Sequence, residues 1–234
     1  MPAPRPSGFV FVLLTSLYFS QGLPAGLLAH ALPAMLRQYQ VSLEYIGLLE
    51  LLALPWMLKF IWAPYVDRFH FRSTGPHRSW ILPMQASVIL LLIAMSQFDP
   101  GQIFQAYLVP FFAILLLFNV CSATQDIATD GLTIKLLPSE WRGLGNSIQV
   151  SGYKLGMIIG GSLLLLAIDR IGWQLSFLIL AGMLLLLTIP ALVLREPPDI
   201  NAPEVPASRA RSPLFLWHSH LAFFRQPGIG LWIV

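Results

Sequence analysis

Two carboxylates, Asp126 and Asp130, stand at the end of a long apolar run that begins at Ile103. An ionised aspartate in hydrocarbon costs roughly 3 kcal/mol or more, so a chain keeps one where it lines a cavity, meets a partner or reaches an interface. The two acids are four residues apart, which puts them about 40° apart on one helix face. Asn119 lies seven residues before Asp126 and Thr133 seven after it, so a polar stripe Asn119–Asp126–Asp130–Thr133 runs along an otherwise apolar helix. Such a stripe offers ion pairing and proton binding. The next apolar run folds back after a turn near Glu140, with Asp126 14 residues before the turn and Lys154 14 after it. At about 1.5 Å per residue the two reach similar depth, which makes Lys154 the expected counter-charge of Asp126. Asp130 gets no partner this way; Arg142 and Lys59 are the candidates. A proton switch and a structural ion pair are both open at this point.

Glu50 and Lys59 lie in another apolar run, nine residues apart. On a regular helix that is about half a turn out of phase, so they are not expected to pair unless Pro55 alters the phase. Lys59 is near the end of its run and is expected to snorkel. Glu50 sits deeper and is the stronger functional acid. Gln21 and His30 flank a bend signalled by Gly22, Pro24 and Gly26, which is either a packing kink or part of a cavity wall. Gly152, Gly156 and Gly160 recur every fourth residue and form a ridge for close helix packing. Lys154 is two residues from Gly152 and from Gly156, so it points to roughly the opposite face.

The elements that carry these residues are read from composition. Charged residues make up 11% of the chain and apolar ones 56%, against about 25% charged in soluble domains. Several apolar runs approach the roughly 20 residues that cross a bilayer. The runs are too long and too Leu-rich for the alternating strands of a membrane barrel. The expected fold is therefore all-α and polytopic. The spans fall at about Gly8–Leu36, Tyr45–Tyr65, Trp80–Ser96, from Ile103 onward, Leu144–Ile168 and Trp173–Leu194. The first run is too long for a signal peptide and more spans follow it. Residues 1–194 make a six-helix bundle, 195–225 a Pro-rich and amphipathic linker, and 226–234 the start of a seventh span. The single cysteine, Cys121, excludes an internal disulfide and a cysteine-based metal site. His218 and His220 are a weak metal signal, and no metal or cofactor is expected. The net charge of +3 carries no nucleic-acid meaning.

Basic residues give the orientation. One side of the six spans holds Arg5, Arg68, Arg72, Arg78, Lys135, Arg142, Arg195, Arg209, Arg211 and Arg225; the other holds Arg37 and Arg170. By the positive-inside bias the N-terminus and the linker are cytoplasmic. Asp126 and Asp130 then lie in the inner third of the fourth span.

These residues resemble a known family. Ala63-Pro64-Tyr65-Val66-Asp67-Arg68 resembles the loop motif between the second and third spans of the major facilitator superfamily, with Ala63 in place of the usual Gly and a poorly kept continuation. Glu140-Trp141-Arg142-Gly143 resembles the loop after its fourth span, and the glycine ridge its fifth-span motif without the proline. Gly22-Leu23-Pro24, Leu58 to Pro64, Gln125-Asp126-Ile127 and Gly152 to Met157 together resemble the AmpG-type branch of muropeptide permeases, acetyl-coenzyme A transporters and siderophore importers. Tyr18 to Pro24 with Ala128 to Gly131 is nearer the siderophore importers. The resemblance implies a secondary transporter of the bacterial inner membrane, working on a small-molecule solute within the lipid bilayer. Such transporters have twelve or more spans in two halves around a central cavity, so it also implies that a C-terminal half is missing from this chain.

Three functions follow. The first is proton-coupled import, with Asp126, Asp130, Lys154 and Glu50 as coupling or gating residues and Gln21, His30 and Asn119 lining the cavity. The second is an inert half-transporter. The third is an intramembrane aspartate enzyme, disfavoured because the paired acids of such enzymes sit on two facing helices and these share one.

Overall fold

The computed structural model describes residues 6–69 and 75–196. The 197–225 part of the expected linker and the expected seventh span at 226–234 lie outside the described residues, as do Arg5, Arg72, Arg209, Arg211 and Arg225. The described residues form helices α1 (Gly8–Gln38), α2 (Leu43–Gly47), α3 (Leu54–Leu58), α4 (Ala63–Arg68), α5 (Arg78–Ser96), α6 (Pro100–Ala106), α7 (Leu108–Leu136), α8 (Ser139–Ile171) and α9 (Trp173–Val193). The fold is all-α, and five of these helices, α1, α5, α7, α8 and α9, are long and apolar enough to cross a membrane.

Two expected spans take a different form. The second is no single helix: α2, α3 and α4 are joined by 3-10 stretches at Leu48–Ala53 and Lys59–Ile61. Each stretch comes just before a proline, Pro55 or Pro64. A proline ring clashes with the carbonyl four residues back and removes one hydrogen bond, so the preceding turn tightens. The fourth begins at Leu108 instead of Ile103. Asp99 caps the short α6 by accepting from the Gln102 N–H at 3.1 Å, and the chain turns at Tyr107 before α7 starts.

α1 is the centre of the bundle and packs against α7, α8 and α9; α5 packs between α7 and α9, and the 43–68 segment lies on α7. Buried leucines of α1 enter two clusters: Leu23 and Leu27 pack with Phe118 of α7 and Phe177 of α9, and Leu13 and Leu17 with Ile81 of α5 and Leu132 of α7. The α1–α8 contact is backbone on backbone. A Cβ at Gly22 would lie 2.1 Å from the Tyr153 carbonyl oxygen, one at Gly156 2.3 Å from that of Phe19, and one at Gly160 2.0 Å from that of Leu23. Above this seam both helices widen into one π turn, Leu27–Ala31 and Ile159–Leu163, and these turns face each other.

At the basic end of the bundle Glu196 ties three elements together. Its side chain is fully covered, with Oε1 2.7 Å from His77 Nδ1 and 3.1 Å from Lys135 Nζ. Its Oε2 accepts from the N–H groups of His77 and Arg78 at 3.1 and 3.0 Å. The Arg78 guanidinium donates in turn to the Leu194 and Leu192 carbonyls at 2.8 and 2.6 Å. Gly75 is required beside it twice over: its φ is +96° and a Cβ there would lie 2.5 Å from Glu196 Oε2.

Burial alone would raise the Glu196 carboxyl, but hydrogen bonds from His77, the Arg78 backbone and Lys135 outweigh it and hold the group at about 2. The folded value lies below the ordinary 4.5, so this stabilisation is complete above pH 4.5 and is lost as pH falls toward 2. Glu196→Gln is expected to cost roughly 2 kcal/mol at pH 7 and to flatten the acid limb of the stability profile. Thermal melts in detergent from pH 7 to pH 3 read both. A variant that loses stability in acid as steeply as the parent contradicts the assignment.

Candidate functional site

The polar stripe of α7 faces the 43–68 segment on one side and α1 with α8 on the other. Asp126 is buried, and its Oδ2 forms an ion pair with Lys59 Nζ. Lys59 opens the 3-10 turn that precedes Pro64. A 3-10 stretch advances about 120° per residue instead of about 100°, so the two tightened stretches reset the phase and bring Lys59 round to α7. Two tryptophans hold it there. Trp56 Nε1 donates to Asn119 Oδ1 at 3.2 Å and its ring centroid lies 5.7 Å from Lys59 Nζ. Trp62 Nε1 donates to Thr124 Oγ1 at 3.1 Å.

Lys59, and not Lys154, is thus the counter-charge of Asp126. Counting residues from the Glu140 turn fixes depth but not azimuth. The glycine face of α8 lies on α1, and Lys154 points away from it, exposed and without an ion pair or hydrogen bond among the described residues. The same pairing replaces the expected snorkelling of Lys59.

Asp130 sits in a different environment. Its Oδ1 accepts from the Tyr18 hydroxyl at 3.1 Å and from Gln149 Nε2 at 3.2 Å. The Tyr18 oxygen is 2.8 Å from Thr133 Oγ1. Thr133 Oγ1 donates its one proton to the Thr129 carbonyl at 2.9 Å, so the single phenol proton of Tyr18 is shared between Asp130 Oδ1 and Thr133 Oγ1. One carboxylate is neutralised by a lysine, and the other, among the described residues, is held by neutral donors alone. Gly131 closes the stripe against the basic end, because a Cβ there would lie 2.6 Å from His77 Nε2.

Gln125 crosses the bundle. Its Nε2 donates to Gln85 Oε1 at 3.1 Å and to Ser20 Oγ at 3.4 Å, while Gln85 Nε2 donates to the Leu184 carbonyl at 3.3 Å. This amide chain links α1, α5, α7 and α9. Of the residues expected to line a cavity, Gln21 and Asn119 are buried in packing and His30 is exposed beside Gly161. Glu50 is exposed on its 3-10 stretch without an ion pair among the described residues. Asp67 and Arg68 end α4, and Arg142 is exposed near the start of α8. A separate cavity of about 350 Å³ lies far from these acids, lined by Phe98, Asp99, Gln102, Tyr107 and Phe111.

Sequence reasoning did not find Tyr18, Gln149, Gln85 or the tryptophans. Gln85 carried a usable signal, a lone amide in the middle of an apolar run. Tyr18 and Trp56 did not, since aromatic residues in membrane spans are ordinary.

Comparison with known proteins places this geometry in context. A family model described as acetyl-coenzyme A transporter 1 matches residues 10–171. The anhydromuropeptide permease of Escherichia coli K12 is 34% identical over 204 residues, covering 86% of this chain and 41% of the permease. A putative transporter AmpG 4 of Rickettsia conorii is 31% identical over 180 residues, covering 75% of this chain and 42% of that protein. An uncharacterised protein of Haemophilus influenzae is 33% identical over 213 residues, covering 90% of this chain and 48% of its own length. The chain spans less than half the length of these curated relatives.

Proposed function

From the premise that this chain belongs to the AmpG-like permease family of the acetyl-coenzyme A transporter 1 model, we propose that it forms one six-span half of a proton-coupled secondary transporter. In this reading residues 43–68 form the second of the six spans despite their broken helix. The basic end is cytoplasmic by the positive-inside bias, in a bacterial inner membrane. A second half, continuous with the chain or separate, completes the solute path. The solute is amphiphilic, of the muropeptide or siderophore kind.

One observation carries the coupling role: two carboxylates four residues apart on α7 have unlike partners, Lys59 for Asp126 and neutral donors for Asp130. Asp130 can gain and lose a proton without stranding a lysine. Asp126 cannot. Asp130 is therefore the proton carrier and the Asp126–Lys59 pair the gate that answers it. Glu50, Gln21, His30 and Asn119 keep their proposed place as path residues that come into play as the bundle rocks.

The test is anhydromuropeptide accumulation in proteoliposomes under an imposed pH gradient. Asp130→Asn is expected to lower gradient-driven accumulation at least tenfold, on the order of an essential proton group, while solute exchange without a gradient persists. Unchanged accumulation would sink the coupling role. An inert half is the second reading, favoured by the 41% and 42% coverage of the relatives. Uptake only on co-expression with the matching second half separates it from a self-sufficient carrier.

A further inference from the structure

We propose that Gln21 of α1 and Ser122 of α7 hold one buried water molecule against the second carboxylate oxygen of Asp126, so that a water bridge ties α1 to the Asp126–Lys59 pair. The site stands on the packing of α1 against α7 and does not depend on the transport reading.

Gln21 and Ser122 are each only 3% exposed, and neither Gln21 Nε2 nor Ser122 Oγ meets a hydrogen-bond partner among the described residues. Both depart from comparable residues. The side-chain amides of Gln85, Gln125 and Gln149 all donate. The hydroxyls of Thr124, Thr129 and Thr133 each donate to the carbonyl four residues back on α7, as helix hydroxyls commonly do; that of Ser122 does not. A buried polar group left unpaired is costly, and ordered water is a common partner for one.

Helix phase and register bring the two groups to one place. On α1, Gln21 lies about 100° from Ser20 and about 60° from Tyr18, inside the arc between them. Ser20 meets Gln125, and Tyr18 meets Asp130 and Thr133, so both edges of that arc rest on α7. On α7, Ser122 lies about 60° from Gln125 and about 80° from Asp130, again between residues that touch α1, and Asp126 shares the arc about 40° from Ser122. The Tyr18–Asp130 and Ser20–Gln125 contacts make the two helices antiparallel. One residue beyond Ser20, Gln21 therefore stands level with the turn that joins Ser122 to Asp126.

Asp126 offers the third bond. Its Oδ2 is taken by Lys59, and its Oδ1 accepts no hydrogen bond among the described residues. A buried water makes about three hydrogen bonds. Here it accepts from Gln21 Nε2, exchanges a bond with Ser122 Oγ and donates to Asp126 Oδ1. A metal ion does not suit the place, because an amide N–H group faces it and the Lys59 ammonium already neutralises Asp126. The bridge gives α1 a hold on the ion pair through a molecule that can leave when the two helices part.

The test is an experimental density map of the full chain in lipid nanodiscs, fine enough to show ordered water, together with thermal melting of three variants. One peak within hydrogen-bond distance of Gln21 Nε2, Ser122 Oγ and Asp126 Oδ1 is expected. A Ser122 hydroxyl turned back on the Phe118 carbonyl, a direct Gln21–Ser122 bond, or a peak that misses Asp126 overturns the proposal. Gln21→Leu and Ser122→Ala each take one partner from the water, and each is expected to lower the melting point by roughly 3 °C. With the bridge already lost, the second substitution is expected to cost nothing further in the double variant. Shifts that add in the double variant, in either direction, mean two groups that share no water and overturn the proposal as well.

Discussion

Gly160→Leu is expected to abolish the folded bundle, with no monodisperse protein recovered in detergent, and Gly160→Ala to lower stability by more than about 4 kcal/mol, beyond the range of ordinary substitutions. The Cβ at this position would sit 2.0 Å from the Leu23 carbonyl oxygen and 2.7 Å from its carbon. Both are backbone atoms, so no side chain can turn aside. The two helices would have to separate by more than 1 Å along their whole contact, and Gly22 and Gly156 share it. Between apolar helices in lipid such packing is the main source of association. A matched control lies in α9. Nothing stands within 4 Å of a Cβ at Gly182, so Gly182→Ala is expected to be neutral or to gain roughly 1 kcal/mol from helix propensity. Thermal melting of the two alanine variants in one detergent reads the contrast. Equal melting points would mean that α1 and α8 are not in contact at this seam.

That seam was legible in the sequence because glycines every fourth residue leave a one-dimensional mark. So were the five long spans, which need only length and apolar composition. The 43–68 segment was harder. Its two prolines announced trouble, but the result is a change of phase, and a phase error turns a face without moving its depth. That is why Lys154 was expected where Lys59 stands. Depth follows from counting residues, while azimuth depends on which side of α8 the glycines dock and on how far two 3-10 stretches rotate Lys59. The Asp130 site hid for another reason: its donors, Tyr18 and Gln149, lie 112 and 19 residues away along the chain, and neither looks unusual in its own run. Glu196 shows the same limit. A lone acid after the last span reads as a solvated loop residue until His77, Arg78 and Lys135 close over it.

Asp126→Ala is expected to cost roughly 3 kcal/mol in stability and to eliminate solute accumulation. Removing one member of a buried ion pair costs about 3–5 kcal/mol because the other is left charged and unpaired; Lys59 is 32% exposed in its side chain, which places the loss at the low end. Lys59→Met is expected to be worse for the fold, since Asp126 is only 8% exposed and has less access to water. The informative variant is the double one, Lys59→Met with Asp126→Leu. Replacing a buried pair by apolar residues of similar size is often neutral or stabilising, so the melting point is expected to return to within about 1 kcal/mol of the parent. Accumulation is expected to stay absent. A purely structural pair predicts that stability and uptake recover together, because nothing else would depend on the charges. A gate predicts that they part, because an apolar plug holds one conformation and no longer answers protonation of Asp130 one helical turn away. Melting curves and gradient-driven uptake on the same four proteins decide between the two roles that residue spacing alone left open.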